Sequence, residues 1–531
     1  MKEVWQTDAT YIKSYNDFDE NSLVENRAIQ TFLNIDKGTR HFVVATKGFG
    51  KTFLLRYKRL LYQTKYINTS YNFIPKNQLV DRTLVSIDFN KEQIDLFNDE
   101  EIWKDTWELA IIISFIKSYV ANRYNINEWA FYDFYDNVKE LTMTNKLLKT
   151  KKETPLDYLA YIIKLNYKDF YSLRSELEDL TIATKMVNYP TAIFIDDIDE
   201  IFTKHLQSQD AAAKYSRAGV LCYNVWYLSQ IGLMKAVRGL YDINPQIKIF
   251  ASIRKEAYIK FKDTDEKSLQ FKGKVLDLNY TQEELKEMFT KNIQMMGPED
   301  LIYPEKVKTN PIVSFLGLEE LPNRRTGDME KIFPYIYRHT LKRPRDIMSI
   351  GDALNQLDNK SIDEIITTVN STSEDIAKQY IEEVSPHIEL SIDDFDKLFS
   401  SINTKIITKR NLRKICENFN SVSSCENNDC KKCMKTHVFC NLYKIGLLGI
   451  VKQDYLTGKY KQHFLKPGEM TFNTESCLPE SPFYFIHPVL TKYILESNSS
   501  EYILDRNTIV GDGYDCDLDL LKDLCIKNLI D

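Results

Sequence analysis

Glycine and proline are scarce in this 531-residue chain, with 17 and 15 residues respectively. That excludes collagen-like and linker-dominated architectures, which need both in bulk. Long apolar runs are lacking as well. The most apolar stretch, 110–116, is closed by Lys117, well short of the roughly 18 residues that a spanning helix requires. No membrane partner is therefore expected. Residues 1–11 are polar and hold no apolar segment of the kind a secretory leader carries, so the expected location is cytoplasmic. Excess positive charge is missing too: the formal net charge is -6, which argues against bulk attraction to nucleic acid and leaves only a local basic patch for that role. Nine cysteines in such a setting read as free thiols or metal ligands, not as a disulfide framework. The chain contains no H-E-x-x-H, no nucleophile elbow and no nuclease-like acid cluster. Any destructive chemistry would then belong to a partner.

What is present is ample core material. The chain is 43% hydrophobic and 12% aromatic, enough at this length for two to four domains. Short apolar runs at 41–45, 83–89, 191–196, 247–253 and 274–278 alternate with helical patterns. Five strands separated by helices describe a parallel α/β sheet. A mostly helical insertion is expected at about 100–185. Thr281 followed by acidic residues reads as a helix start. The expected division is a core over 1–295, a helical lid over 296–384 and a third region over 385–531. In that third region, helices at 393–400, 409–418 and 437–445 precede a hairpin at 449–465 and a strand at 483–486, a winged-helix pattern.

Residues 45–52 read Ala45-Thr46-Lys47-Gly48-Phe49-Gly50-Lys51-Thr52, followed by Phe53. With a strand before and a helix after, this is the context of a phosphate-binding loop. Gly50, helped by Gly48, lets successive backbone N–H groups curl round a phosphate where a β-carbon would obstruct. Lys51 supplies a point charge to the terminal phosphates, and the Thr52 hydroxyl can ligate Mg²⁺. The following helix presents its positive end to the anion. The plain alternative is a glycine-containing turn after a buried strand. A second run, Ile193-Phe194-Ile195-Asp196-Asp197, ends in paired acids. This pattern assigns Asp196 to the metal and Asp197 to activation of water, with Asp199 and Glu200 as rivals for the latter role. Ser252 and Arg254 close the fourth strand, where Ser252 could sense a terminal phosphate and Arg254 could contact it directly, stabilising charge as an arginine finger does in cis; a solvated arginine in a loop is the plainer reading. Arg343 or Arg345, in Arg343-Pro344-Arg345-Asp346, could reach a nucleotide from the lid.

The order of these motifs resembles the AAA+-like and STAND branch of P-loop ATPases, in particular the origin-recognition-like and KAP-like bacterial ATPases of conflict and antiphage systems. The resemblance rests on KGFGKT, FIDDIDE, ASIR and LKRPRD over about 20–360, and on pattern alone over 385–495. It implies an α/β fold with an ASCE/AAA+-like parallel P-loop NTPase sheet, a helical lid and a C-terminal winged-helix-like domain. It further implies ATP and Mg²⁺ as ligands, sensor duties for Ser252, Arg254 and Arg345, and a regulatory role exercised through self-oligomers or a protein effector. Two residues depart from the pattern. Ala45 replaces the first glycine, and Asp197 replaces the longer glutamate of fast motors, which fits slow turnover in a switch. A DNA-associated loader and a nucleotide-binding scaffold without hydrolysis are the rival readings.

Cys425, Cys430, Cys433 and Cys440, with His437 inside the last gap, offer four ligands for a structural Zn²⁺ in a loop over 425–440. Cys416 is an alternative ligand. Lys405, Lys409, Arg410, Arg413, Lys414, Lys431, Lys432 and Lys435 form a basic set through which nucleic acid could bind; a solvated helix face is the plainer reading. His487 is expected to be a satisfied structural histidine.

Overall fold

The computed structural model describes residues 4–14, 17, 23–24, 26–36, 40–82, 89–122, 134, 136–198, 217–323, 326–385, 392–402, 404–422, 438–466, 469, 478–491 and 508–527. The chain forms two compact units. One comprises 9–20 and 25–278; the other comprises 1–8, 21–24 and 279–531.

The first unit is built on a parallel sheet. Its strands are β1 (Phe42–Ala45), β2 (Asn72–Ile74), β3 (Asp81–Arg82), β4 (Thr191–Asp196), β5 (Ile247–Arg254) and β6 (Val275–Asp277). The order across the sheet is β2-β4-β5-β1-β6, and β3 also pairs with β4. Every residue of β1 and β4 is buried, as expected for strands covered on both faces. β2 and β3 lie end to end along one edge of β4: Ile74 pairs with Ile193, and Arg82 with Asp196. A single strand over 83–89 was the expectation. Residues 83–88 lie outside the described residues, and two short strands before them hold that edge instead.

Helix α1 (Arg27–Leu33) is capped by Asn26, whose side chain accepts the Ala28 N–H. The helix leaving β1 is α2 (Lys51–Lys65). The insertion is helical: α3 (Glu100–Ala121) carries Trp103 and Trp107 fully buried, and α4 (Pro155–Ile163) starts at a Thr154 capping box. The long α5 (Arg217–Ile243) and α6 (Lys255–Thr264) flank β5 in sequence.

Alternation along the strands decides which side chains share a face. Phe194 and Phe250 meet Tyr62 of α2, and Arg59 of α2 stacks near Phe194. Ile193, Ile195, Ile249, Ala251 and Ile253 point the other way, into the core shared with α3 and α5. Two residues beyond Phe194 and Phe250 stand Asp196 and Ser252, which therefore face the α2 side at the ends of their strands.

The main stretch of the second unit runs from Asn279. The helix α7 (Gln282–Gln294) buries Leu285, Phe289 and Ile293 in the second unit's core, and Trp5 packs on Phe289 and Phe315 there. A small hairpin, β7 (Glu320–Pro322) with β8 (Met329–Lys331), precedes α8 (Ile332–Arg338), α9 (Pro344–Asn355) and α10 (Ile362–Val384). The expected single helix over 332–354 is two: the first ends at Arg338, Lys342 takes a φ of 62°, and Arg343 is extended, as the residue before Pro344 is disposed to be. Then come α11 (Ile392–Ser400), β9 (Ile406–Thr408), α12 (Lys409–Val422), α13 (Val438–Lys444), β10 (Leu448–Gln453), β11 (Tyr460–His463) and β12 (Phe483–Ile486). The four strands form an antiparallel sheet in the order β11-β10-β12-β9. No helix among the described residues is long and apolar enough to cross a membrane.

Candidate functional site

The loop between β1 and α2 is made by two glycines. Gly48 and Gly50 both have φ of 86°, a region that residues with a β-carbon rarely adopt. A β-carbon placed on Gly50 would meet nothing within 4 Å. The conformation, not crowding by protein, thus demands glycine, and the space beside it is open. Gly50 is also the residue preceding α2, and no side chain caps that helix end. Its first-turn N–H groups, which a helix cannot satisfy internally, face outward in the manner of an anion site.

Around this loop, Thr46 is 6% exposed and its Oγ1 has no hydrogen-bond partner among the described residues. Phe49 is buried, Lys47 is exposed, and Gly48, Thr52 and Phe53 are half-buried. Lys51 Nζ donates to the carbonyls of Ala45 at 3.0 Å and Thr46 at 3.1 Å. Its ammonium is therefore held over the loop.

Asp196 is 0% exposed, and neither of its carboxylate oxygens has a hydrogen-bond partner among the described residues. A buried carboxylate left without donors is costly, and a bound cation is the usual compensation. Asp197 follows with φ of 50°, which turns its side chain out of the strand's alternation, and it forms an ion pair with Arg82. Asp199 and Glu200 lie outside the described residues. Arg82 was not singled out from sequence. It stands at the end of a two-residue strand, with no periodic or motif signal to mark it.

β5 lies between β1 and β4. Ala45 pairs with Arg254, and Ile195 with Ala251. Ser252 therefore lies between the glycine loop and the acids, as its position in sequence predicts, and it is buried. Arg254 is 7% exposed, with Nε 3.5 Å from Glu256 Oε2, and its backbone N–H donates to Gln230 Oε1 at 2.8 Å. In β3, burial pushes the Asp81 carboxyl up to about 7; it accepts the Leu156 N–H of α4 at 2.9 Å.

In the second unit, Arg343 is 2% exposed. Its Nε donates to Asp346 at 2.9 and 3.1 Å, and Nη1 donates to Glu383 at 2.8 Å. Arg343 thus clamps the start of α9 to the end of α10, a structural role that sequence reading did not assign. Arg345 is the more exposed of the two, 3.8 Å from Glu383. Cys440 lies buried on α13, where its Sγ accepts the Leu478 N–H at 3.2 Å. Cys425, Cys430, Cys433 and His437 lie outside the described residues. Among the described residues no group of three or more His, Cys, Asp or Glu side chains is arranged to hold a metal. His487 is a core histidine: Nδ1 accepts the Val489 N–H at 3.2 Å and the ring meets Phe464 edge-on.

The first unit thus brings a glycine loop at a helix start, a lysine, a buried carboxylate without donors and a buried serine to one edge and one face of a parallel sheet. That arrangement fits a metal-bound polyphosphate, whose anionic oxygens suit the loop and whose cation suits Asp196. No protein-family model matches this chain, and no curated protein matches it either.

Proposed function

We propose that the chain binds ATP with Mg²⁺ at residues 45–53 and hydrolyses it slowly, as a regulatory switch acting through self-association or a protein effector. The observation that carries this reading is Asp196. A fully buried carboxylate without donors, on the α2 face and at the same sheet edge as a positive-φ glycine loop, suits a cation held against a phosphate. Mg²⁺, held by the Thr52 hydroxyl and Asp196, would neutralise phosphate charge. Lys51 would leave the Ala45 and Thr46 carbonyls to pair with the terminal phosphates. Asp197 would accept the proton of the attacking water, and Ser252 would hydrogen-bond the terminal phosphate. Asp197 is a short base already engaged by Arg82, which is the argument for slow turnover and a switching role.

The test is equilibrium binding of a fluorescent ATP analogue with and without Mg²⁺. Wild type should bind in a Mg²⁺-dependent manner, and Lys51→Ala should weaken binding at least tenfold. Equal affinity of the two proteins would end the reading.

One observation keeps nucleic acid as a second reading. α12 exposes Lys409, Arg410, Arg413 and Lys414 while burying Leu412, Ile415 and Cys416, so one face of that helix is both solvated and basic.

A further inference from the structure

The helix α5 runs along the sheet face opposite α2 and carries Gln230, which is 1% exposed. Half of its amide is accounted for: Oε1 accepts the Arg254 backbone N–H at 2.8 Å. The other half is not. Nε2 has no hydrogen-bond partner among the described residues. An unmet buried donor costs about 1–3 kcal/mol. A buried glutamine kept in this state calls for an explanation.

Strand geometry locates the amide. Along β5 the N–H of Ala251 donates to His41 at 2.9 Å, toward β1. Successive residues of a strand direct their backbone groups to opposite sides, so the N–H of Arg254 points toward β4. Ala251 pairs with Ile195, which puts the turn Asp196-Asp197-Ile198 alongside Arg254. The Gln230 amide therefore lies at the C-terminal edge of the sheet, between the end of β5 and the acidic turn. Asp196, at that edge, has acceptors without donors, and Gln230 has a donor without an acceptor. The two do not bond each other. A metal-bound terminal phosphate reaching that edge of the sheet would meet both needs, offering an anionic oxygen to the amide and a cation to the carboxylate.

We propose that Gln230 is a catalytic residue that donates Nε2–H to an oxygen of the γ-phosphoryl group. The inference rests on the reading of this site as an ATPase. In the step it serves, the water oxygen bonds to phosphorus and the bond from phosphorus to the bridging oxygen breaks. The leaving diphosphate takes that electron pair, and the water proton passes to Asp197. Gln230 exchanges no atoms. Because its carbonyl is committed to Arg254, it acts as a donor only, and the contact strengthens as charge shifts on the transferring group.

The full chain is titrated by calorimetry with Mg-ADP, and with Mg-ADP plus aluminium fluoride, which imitates the phosphoryl group in transfer. The proteins are wild type, Lys51→Ala, Gln230→Met and Gln230→Glu. Gln230→Met should bind Mg-ADP within twofold of wild type and lose at least tenfold of the gain that fluoride brings. Gln230→Glu keeps the acceptor for Arg254 and loses the donor on ionising, so it should show the same loss at pH 9; it also serves if the methionine variant does not fold. Full retention of the fluoride gain in either variant under those conditions, or no gain in wild type, overturns the role of Gln230 and leaves the nucleotide site standing. Equal Mg-ADP binding by wild type and Lys51→Ala removes the site itself and this inference with it.

Discussion

Arg82 and Asp197 form an ion pair at the edge of the parallel sheet, one residue beyond the buried Asp196. Both side chains are about one-fifth exposed, so the pair is neither fully screened nor fully desolvated. Its interest lies in what it occupies. Asp197 is the carboxylate proposed to take a proton from water, and a carboxylate engaged by a guanidinium is a poorer proton acceptor. The strand that carries Arg82 is anchored in turn: Asp81 accepts the Leu156 N–H at the start of α4. The helical insertion is thereby tied to the acid that would activate water.

Arg82→Ala should consequently raise basal ATP turnover, by roughly threefold or more, with nucleotide affinity within twofold of wild type. Phosphate release under saturating Mg-ATP and a binding titration give the two numbers. A fall in turnover at unchanged affinity would mean that Arg82 holds Asp197 in position and does not restrain it.

Asp196→Asn separates stability from function. The wild-type carboxylate is fully buried without hydrogen-bond partners among the described residues, so the folded protein bears the cost of a desolvated charge. An asparagine of the same shape carries no charge and so lowers that cost, although its amide meets no partner among the described residues either. In EDTA the variant should melt higher than wild type, by about 2–4 °C per kcal/mol. The stabilisation that Mg-ATP gives wild type should vanish in the variant. A lower melting temperature in EDTA would show that the carboxylate is compensated in some other way.

Strong periodic and apolar signals were legible in the sequence. β4 and β12 appear at the expected residues, and the glycine loop lies between strand and helix as expected. The capping box at Thr281 is present because Thr281 and Glu284 sit three residues apart before an amphipathic run. β2, β3, β7, β8 and β9 carry no legible signal, since two or three residues show no measurable period. Arg82 and Gln230 escaped for another reason. Their partners lie 115 and 24 residues away in the chain, brought close by strand pairing for Arg82 and by the packing of α5 on the sheet for Gln230. Arg343 stands in an Arg-Pro-Arg motif at a helix start, from which the sequence suggests a reach toward a nucleotide. The acids that bury it, Asp346 and Glu383, identify themselves only once α9 and α10 pack.

Acid should weaken the second unit through its buried histidines. Burial, followed by the nearby Lys342 charge, holds His487 down to about 3, whereas an unfolded histidine titrates near 6.5. Between those values the unfolded chain takes up a proton that the folded one refuses. The stability from this group is therefore complete above about 6.5 and is lost as the pH falls toward 3. From pH 6.5 to 5 one such group accounts for about 2 kcal/mol at 1.36 kcal/mol per unit. His487→Asn retains an acceptor for the Val489 N–H and has nothing to protonate. Thermal melts at pH 7 and pH 5 should show a drop smaller by several degrees in the variant. Equal drops would assign the acid sensitivity to other groups.

The basic face of α12 sets a measurable limit on any nucleic-acid role. Arg410, Arg413 and Lys414 are exposed, while Lys409 is engaged by Glu480. If those three cations each neutralise a phosphate, the logarithm of duplex affinity falls with the logarithm of salt at a slope of about 2.7, from about 0.9 per contact. That is roughly a 20-fold loss between 50 and 150 mM salt. Set against a net charge of -6, so small a footprint should leave binding detectable at 50 mM and negligible at 150 mM. Arg410→Glu with Arg413→Glu should abolish it at both, with Mg-ATP affinity unchanged. A slope well above 3, or tight binding at 150 mM, would require a larger basic surface than α12 offers and would favour a DNA-associated ATPase over an effector-coupled switch.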